Sequence, residues 1–179
     1  YDKAIEFEPT QVIAWLNRGN AKFILKDVKG ALTDFLKVTQ LQPNNANVYF
    51  NLGVIYSGME KSTDAIAAFK KYNSFLPNEW NGYKHTADVY YLQLARYDSS
   101  EYFYNKAFLI NKNEKDILER LGYSLLNQKK IPEAIAISAT ATSMPPSEQS
   151  CTAVTRPAWM SPRTKSPLRF SVARSTGGG

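Results

Sequence analysis

Proline recurs at Pro9, Pro43 and Pro77, each 34 residues after the last, and this period constrains the fold more than any other feature of the chain. A second series, Gly19, Gly53, Ala87 and Gly122, is spaced 34, 34 and 35, and a third, Ala31, Ala65, Ser100 and Ala134, is spaced 34, 35 and 34. Phe35 and Phe69, each four residues after its alanine, keep the same step. Several residue classes in one register mean an array of similar units, none able to bury its apolar face alone. The one extra residue falls between Ala87 and Ser100, in or beside a loop.

Within each period the apolar residues follow two helical patterns. Residues 12–24 carry the first, Lys26 and Asp27 interrupt it, and residues 31–41 resume until "QPNN". Proline ends each second helix because it disfavours helical backbone in the residue before it. The next periods repeat this at 48–56 and 65–75, at 83–94 and 100–110, and at 117–126 with 131 onward. Residues 1–8 read as the end of one more second helix. No stretch alternates at period two long enough to argue a strand, so the expected class is all-α.

The text changes at Ser138, beyond which Ser, Thr, Pro and Gly make 22 of 42 residues. Such a segment buries too little apolar surface to offset the entropy of ordering it, so residues 145–179 are expected to form a disordered basic tail. The break also suggests a tail that is not the natural continuation, which would leave the fourth unit truncated and prone to fraying or self-association. The net charge of +6 divides unevenly: residues 1–137 hold 17 Lys/Arg against 15 Asp/Glu, and the rest 5 against 1. A body that near neutrality has no field to steer it onto nucleic acid or an acidic membrane. No run approaches the ~20 apolar residues of a membrane span. One cysteine and one histidine allow neither an internal disulfide nor a zinc site of the usual ligands. The compartment stays open, with a cytoplasmic setting favoured, and the opening "YDKAIEFEPT" reads as part of something longer.

The residues in register resemble the tetratricopeptide repeat, W-x2-L-G-x2-Y, A-x3-F and P over 34 positions. Tyr49, Leu52, Gly53, Tyr56, Ala65, Phe69 and Pro77 match it with tyrosine in the tryptophan place. The preceding unit offers Trp15, Gly19, Ala31, Phe35 and Pro43, the third Tyr83, Ala87, Tyr90, Ser100 and Tyr104, and the fourth Leu118, Leu121, Gly122, Leu125 and Ala134. The resemblance implies a right-handed α-α solenoid of helix-turn-helix units, divided as the end of a truncated repeat at 1–11, repeats at 12–45 and 46–79, a degenerate one at 80–113 and a partial one at 114–144. A helix-interior glycine costs roughly 1 kcal/mol against alanine, and Gly19 offsets this by letting two helices approach, small residue opposite small residue. Arg18 and Lys22 stand where leucine and tyrosine are preferred. Either Arg18 packs its stem and sends its charge to solvent, or the first repeat is loose and Arg18→Leu stabilises it.

For function, the resemblance implies a protein-interaction scaffold whose first helices line a concave groove for a peptide or helix of a partner protein. By position that groove shows Asn20, Phe50, Asn51, Lys84, Asp88, Tyr91 and Tyr123, beside Ile13, Leu16, Phe23, Ile24, Asn47, Val54, Ser57, Asn81, Leu92, Asp116, Glu119 and Leu126. Relatives that clamp acidic chaperone tails use two asparagines and three cationic places. Asn20 and Asn51 fit the former, but Leu16, Asn81 and His85 fill the latter, so no chaperone-tail binding is expected. Catalytic residues, metal sites and cofactors are expected to be absent: there is no G-x-S-x-G, GxxxxGK[ST] or HExxH, and His85 with Asp88 reads as a polar pair. Nucleic-acid binding by the body is not expected either. The alternative is a regulatory or recruiting segment of a larger enzyme or surface-assembly protein.

Overall fold

The computed structural model describes residues 1–143, so the expected tail lies outside the described residues. Among them are nine helices and no strands: α1 (Asp2–Phe7), α2 (Val12–Ile24), α3 (Val28–Leu41), α4 (Ala46–Gly58), α5 (Ser62–Phe75), α6 (Trp80–Leu92), α7 (Tyr97–Ile110), α8 (Lys115–Asn127) and α9 (Ile131–Ser143). Each packs on its chain neighbours, giving an α-α solenoid of four antiparallel pairs with α1 ahead of them. The second helices begin three residues before the small residue of each unit, because the turn itself supplies their start. Asp27 caps α3 by accepting from the Gly30 amide at 2.9 Å, and Asn45 caps α4 through the Val48 amide.

Each turn within a pair holds one residue in left-handed backbone, Lys26, Glu60, Ala95 and Lys129, and none is glycine. The amide after it closes on a carbonyl of the first helix: Asp27 on Lys22, Lys61 on Tyr56, Lys130 on Leu125, but Arg96 on Tyr90. The third closure is one residue longer. The insertion that breaks the 34-residue period therefore sits in the α6–α7 turn, where it leaves both helices in register. The first-helix aromatics brace the turns between units: Trp15 Nε1 donates to the Pro9 carbonyl at 2.8 Å and the Tyr49 hydroxyl to the Pro43 carbonyl at 2.9 Å. The prolines thus stop one helix and also offer an acceptor to the next.

The core runs through the stack, from Phe35, Val38, Val48 and Leu52 to Phe69 and Val89, then to Tyr104, Ile117 and Leu121. The nearest neighbours of Gly19 and Gly53 are phenylalanine rings. A methyl group on Gly19 would stand 2.6 Å from Phe35 Cε1, and on Gly53 2.5 Å from Phe69 Cε1. At Gly122 the nearest atom would be Ser138 Oγ at 3.8 Å, because the fourth unit has serine where the first two have phenylalanine. The same substitution should then have opposite signs. Gly122→Ala should stabilise the protein by about 1 kcal/mol through helix propensity, whereas Gly53→Ala should cost about 1–3 kcal/mol by overpacking, both read from urea unfolding midpoints.

Helix α9 continues past Ser138, where the repeat pattern stops. Ser138, Thr140 and Thr142 turn their hydroxyls back onto carbonyls four residues earlier, which spends these groups inside the helix. Ala134 and Ala141 keep its buried side, and Ile131 and Ile135 stand exposed.

Candidate partner-binding face

The first helices α2, α4, α6 and α8 stand side by side. At two junctions the residue two before the small residue of a unit reaches the residue one after it in the preceding unit, Asn51 to Asn20 and Arg120 to Asp88, while His85 in the same place meets aromatic rings. Asn51 Nδ2 donates to Asn20 Oδ1 at 3.0 Å. Arg120 Nη1 lies 3.2 Å from Asp88 Oδ1. Between them His85 stacks on Phe69 with centroids 5.4 Å apart and meets Phe50 edge-on at 5.1 Å. One register position thus produces an amide zone, an aromatic zone and a charged zone along the face.

In the amide zone the Asn20–Asn51 bond uses one donor and one acceptor. Among the described residues the Asn20 N–H pair and the Asn51 oxygen have no hydrogen-bond partner, so they are available to a peptide backbone. The aromatic zone is drier. Phe50 is half-buried against Phe69, Tyr72 and His85, and serves the core as much as the surface. Desolvation among these rings pushes the His85 imidazole down to about 4, so it is neutral at pH 7. Its Nδ1 stands 3.8 Å from Asp88 Oδ2, too far for a hydrogen bond.

The charged zone is internally matched. Lys84 Nζ is 2.7 Å from Asp116 Oδ2 and 3.9 Å from Asp88 Oδ2, and Arg120 Nε donates to Asp116 Oδ1 at 3.1 Å. The buried Tyr104 hydroxyl donates to Asp88 Oδ1 at 2.6 Å, and burial raises its titration well above the ordinary phenol range. Burial works to raise the Asp116 carboxyl as well, but the Lys84 and Arg120 contacts more than offset it and hold the group below its usual value. Two cations and two carboxylates leave no surplus charge. Beyond them Tyr91 accepts from Asn127 Nδ2 at 3.2 Å, and the same nitrogen bonds the Tyr123 carbonyl at 2.8 Å. Tyr123 is 57% exposed.

The seven residues singled out by position therefore fall into one row: Asn20 with Asn51, Phe50 beside His85, Lys84 with Asp88, and Tyr91 joined to Tyr123 through Asn127. Arg120, Asn127 and Tyr104 complete the row without having been singled out for it. The register of Arg120 with Asn51 and His85 was available in the sequence. The Tyr104 bond was not, because it crosses from a second helix to a first.

Arg18 follows neither sequence account. Its Nε and Nη2 donate to both oxygens of Asp34 at 2.8 and 2.7 Å, its Nη1 bonds Asp2 at 2.7 Å, and Lys22 Nζ lies 2.9 Å from Asp34. Asp34 is completely buried. The corresponding places in the second unit hold Leu52, Tyr56 and Ala68. The first unit has replaced an apolar trio by a paired ionic one.

A family model described as TPR repeat matches residues 19–59, and one described as tetratricopeptide repeat matches residues 46–75. Protein STIP1 homolog of Dictyostelium discoideum is 28% identical over 137 residues, 75% of this chain and 23% of that protein. The chain spans less than a quarter of the length of the curated relatives it matches, one of which is a transferase by name. Among solved structures, MamA superposes with a TM-score of 0.76 at 19% identity, covering 79% of this chain and 82% of that one. YrrB, described as a TPR protein with an unusual peptide-binding site, superposes with a TM-score of 0.70 at 22% identity, covering 79% and 72%.

Proposed function

Since this chain is a tetratricopeptide-repeat protein, we propose that its work as a protein-interaction scaffold is done on the first-helix face, which takes an extended or helical segment of a partner along Asn20, Phe50, Asn51, Lys84, Asp88, Tyr91 and Tyr123. The observation that carries this reading is the unspent amide pair of Asn20 and Asn51 in line with exposed apolar groups. Ile13 and Ile24 flank it on α2, and Leu92, Tyr123 and Leu126 continue the row on α6 and α8. Amides bond a peptide backbone whatever its sequence, while the apolar groups select side chains. The face performs no chemistry of its own, and no nucleic acid, metal or cofactor enters this reading.

The charge balance selects the partner. Lys84 and Arg120 are committed to Asp88 and Asp116, so an acidic chaperone tail would have to displace those carboxylates. Micromolar affinity of this face for a peptide ending in Glu-Glu-Val-Asp would overturn that point. Affinity capture with the wild-type body should recover partners that a Lys84→Ala/Tyr91→Ala variant loses. An unchanged set of partners would overturn the assignment of the face. A second reading, a recruiting segment within a larger enzyme or surface-assembly protein, is favoured by the small share of the curated relatives that the chain spans. The two differ in whether the full-length reading frame encodes a further catalytic or assembly domain.

A further inference from the structure

The residue that closes each first helix is Leu25, Met59, Gln93 and Gln128 in turn. In the last two units this glutamine locks its unit to the one before. Gln93 Nε2 donates to the Ser57 carbonyl at 2.9 Å and its Oε1 accepts from the Ser62 hydroxyl at 2.7 Å. Gln128 Nε2 donates to the Tyr97 carbonyl at 3.1 Å and to Glu101 at 2.8 Å. Between the first and second units the matching residue is Met59, opposite Phe23 and Val28, which stand in the register of Ser57 and Ser62. A thioether donates nothing, and Val28 has no hydroxyl to offer. A recess of about 370 Å³ remains open there, lined by Phe23, Val28, Ile55 and Met59, with Lys26 and Lys29 on its rim.

We infer that this recess is a second docking site, distinct from the first-helix face, and that it receives an aliphatic or aromatic side chain of a protein segment whose neighbouring residues are acidic. The apolar lining has room for one or two side chains, and burying them is favourable at roughly 25 cal/mol per Å². The rim sets the charge. Among the described residues neither Lys26 nor Lys29 forms an ion pair, while Asp27 between them spends its carboxylate on the Gly30 amide. Lys26, whose backbone is left-handed, is one of the residues that line the recess. Carboxylates flanking an inserted side chain meet two lysines without an ion pair among the described residues, which also speeds encounter at low salt.

The test is a backbone amide NMR titration of the full chain with a six-residue peptide carrying a central Phe-Leu between two Asp-Glu pairs. Saturable shifts should centre on Phe23, Val28 and Met59. The peptide should bind at least about tenfold more weakly to Val28→Ser/Met59→Gln, which installs the glutamine lock of the later units. Lys26→Glu/Lys29→Glu, confined to exposed positions, should weaken it similarly and stands as the independent variant if the first does not fold. The Lys84→Ala/Tyr91→Ala variant should bind it as wild type does, which keeps this site separable from the first-helix face. Shifts confined to α6 and α8, equal binding of a peptide with Ser-Gln in place of Asp-Glu, or a response to dodecanoate but none to the peptide would each overturn the inference.

Discussion

Arg18→Leu, which restores the residue type of the repeat pattern, is expected to destabilise the protein by about 3 kcal/mol, because removing one partner of a buried ion pair strands the other. Asp34 has no exposed surface, and the guanidinium supplies two of its three close contacts. Lys22 stays at 2.9 Å, which keeps the cost short of a wholly unpaired carboxylate. Removing the whole set should behave differently. Arg18→Leu/Lys22→Tyr/Asp34→Ala installs the residues that the second unit uses, and should be neutral or stabilising by about 1–4 kcal/mol. Asp2, 85% exposed, loses its partner at little cost. Equal destabilisation of the single and triple variants in urea would refute the exchange of ionic for apolar packing.

The same cluster sets an acid limit. Burial works to raise the Asp34 carboxyl, but the Arg18 and Lys22 bonds outweigh it and hold the group below its ordinary value. A depressed carboxyl contributes stability that is present above its unfolded titration, near pH 4, and lost as pH falls through the folded one. The triple variant should lose that low-pH slope while the wild type keeps it.

Phe69→Ala should cost about 3–5 kcal/mol. The ring is 1% exposed, lies where a methyl on Gly53 would stand, and forms one wall of the His85 site. Glycine at 53 gives the vacated volume no side chain that could move in, so the cavity term is retained. His85 is the chain's only histidine, which makes its imidazole NMR titration unambiguous. The wild-type titration near 4 should move up toward the ordinary 6.5 when the stacked ring is removed and water reaches the imidazole. Because the folded value lies below the unfolded one, the unfolded chain binds the extra proton between those values, and stability falls as pH drops from about 6.5 to about 4. His85→Gln should flatten that window and leave the Asp34 slope below it. An unmoved His85 titration in Phe69→Ala would show that desolvation by this ring is not what depresses it.

The helices and their order were legible because both depend on local pattern. Val12–Ile24 begins and ends where its apolar spacing does, and the 34-residue register carried the unit boundaries and located the extra residue between Ala87 and Ser100. The face was legible as a row of positions on first helices. Its chemistry was less so: Lys84 was legible as a position on the face, but its ion pair with Asp116 on the next first helix was not. The starts of α3, α5, α6 and α7 were missed by three residues, because the first turn of each lies outside the apolar pattern.

Spacing along one helix and the step between units are properties of the chain, and they dictated an all-α array with glycines at close approaches. Which side chains meet across helices depends on the rotation of each helix and the offset between units. Asp34 answers Arg18 from 16 residues away on another helix, which turned an apparent misfit into a paired cluster. Gln93 spans 36 residues to lock one junction, where Met59 leaves the preceding one open. Residues so far apart are brought within 3 Å by burial of the shared core, and no local periodicity encodes that distance.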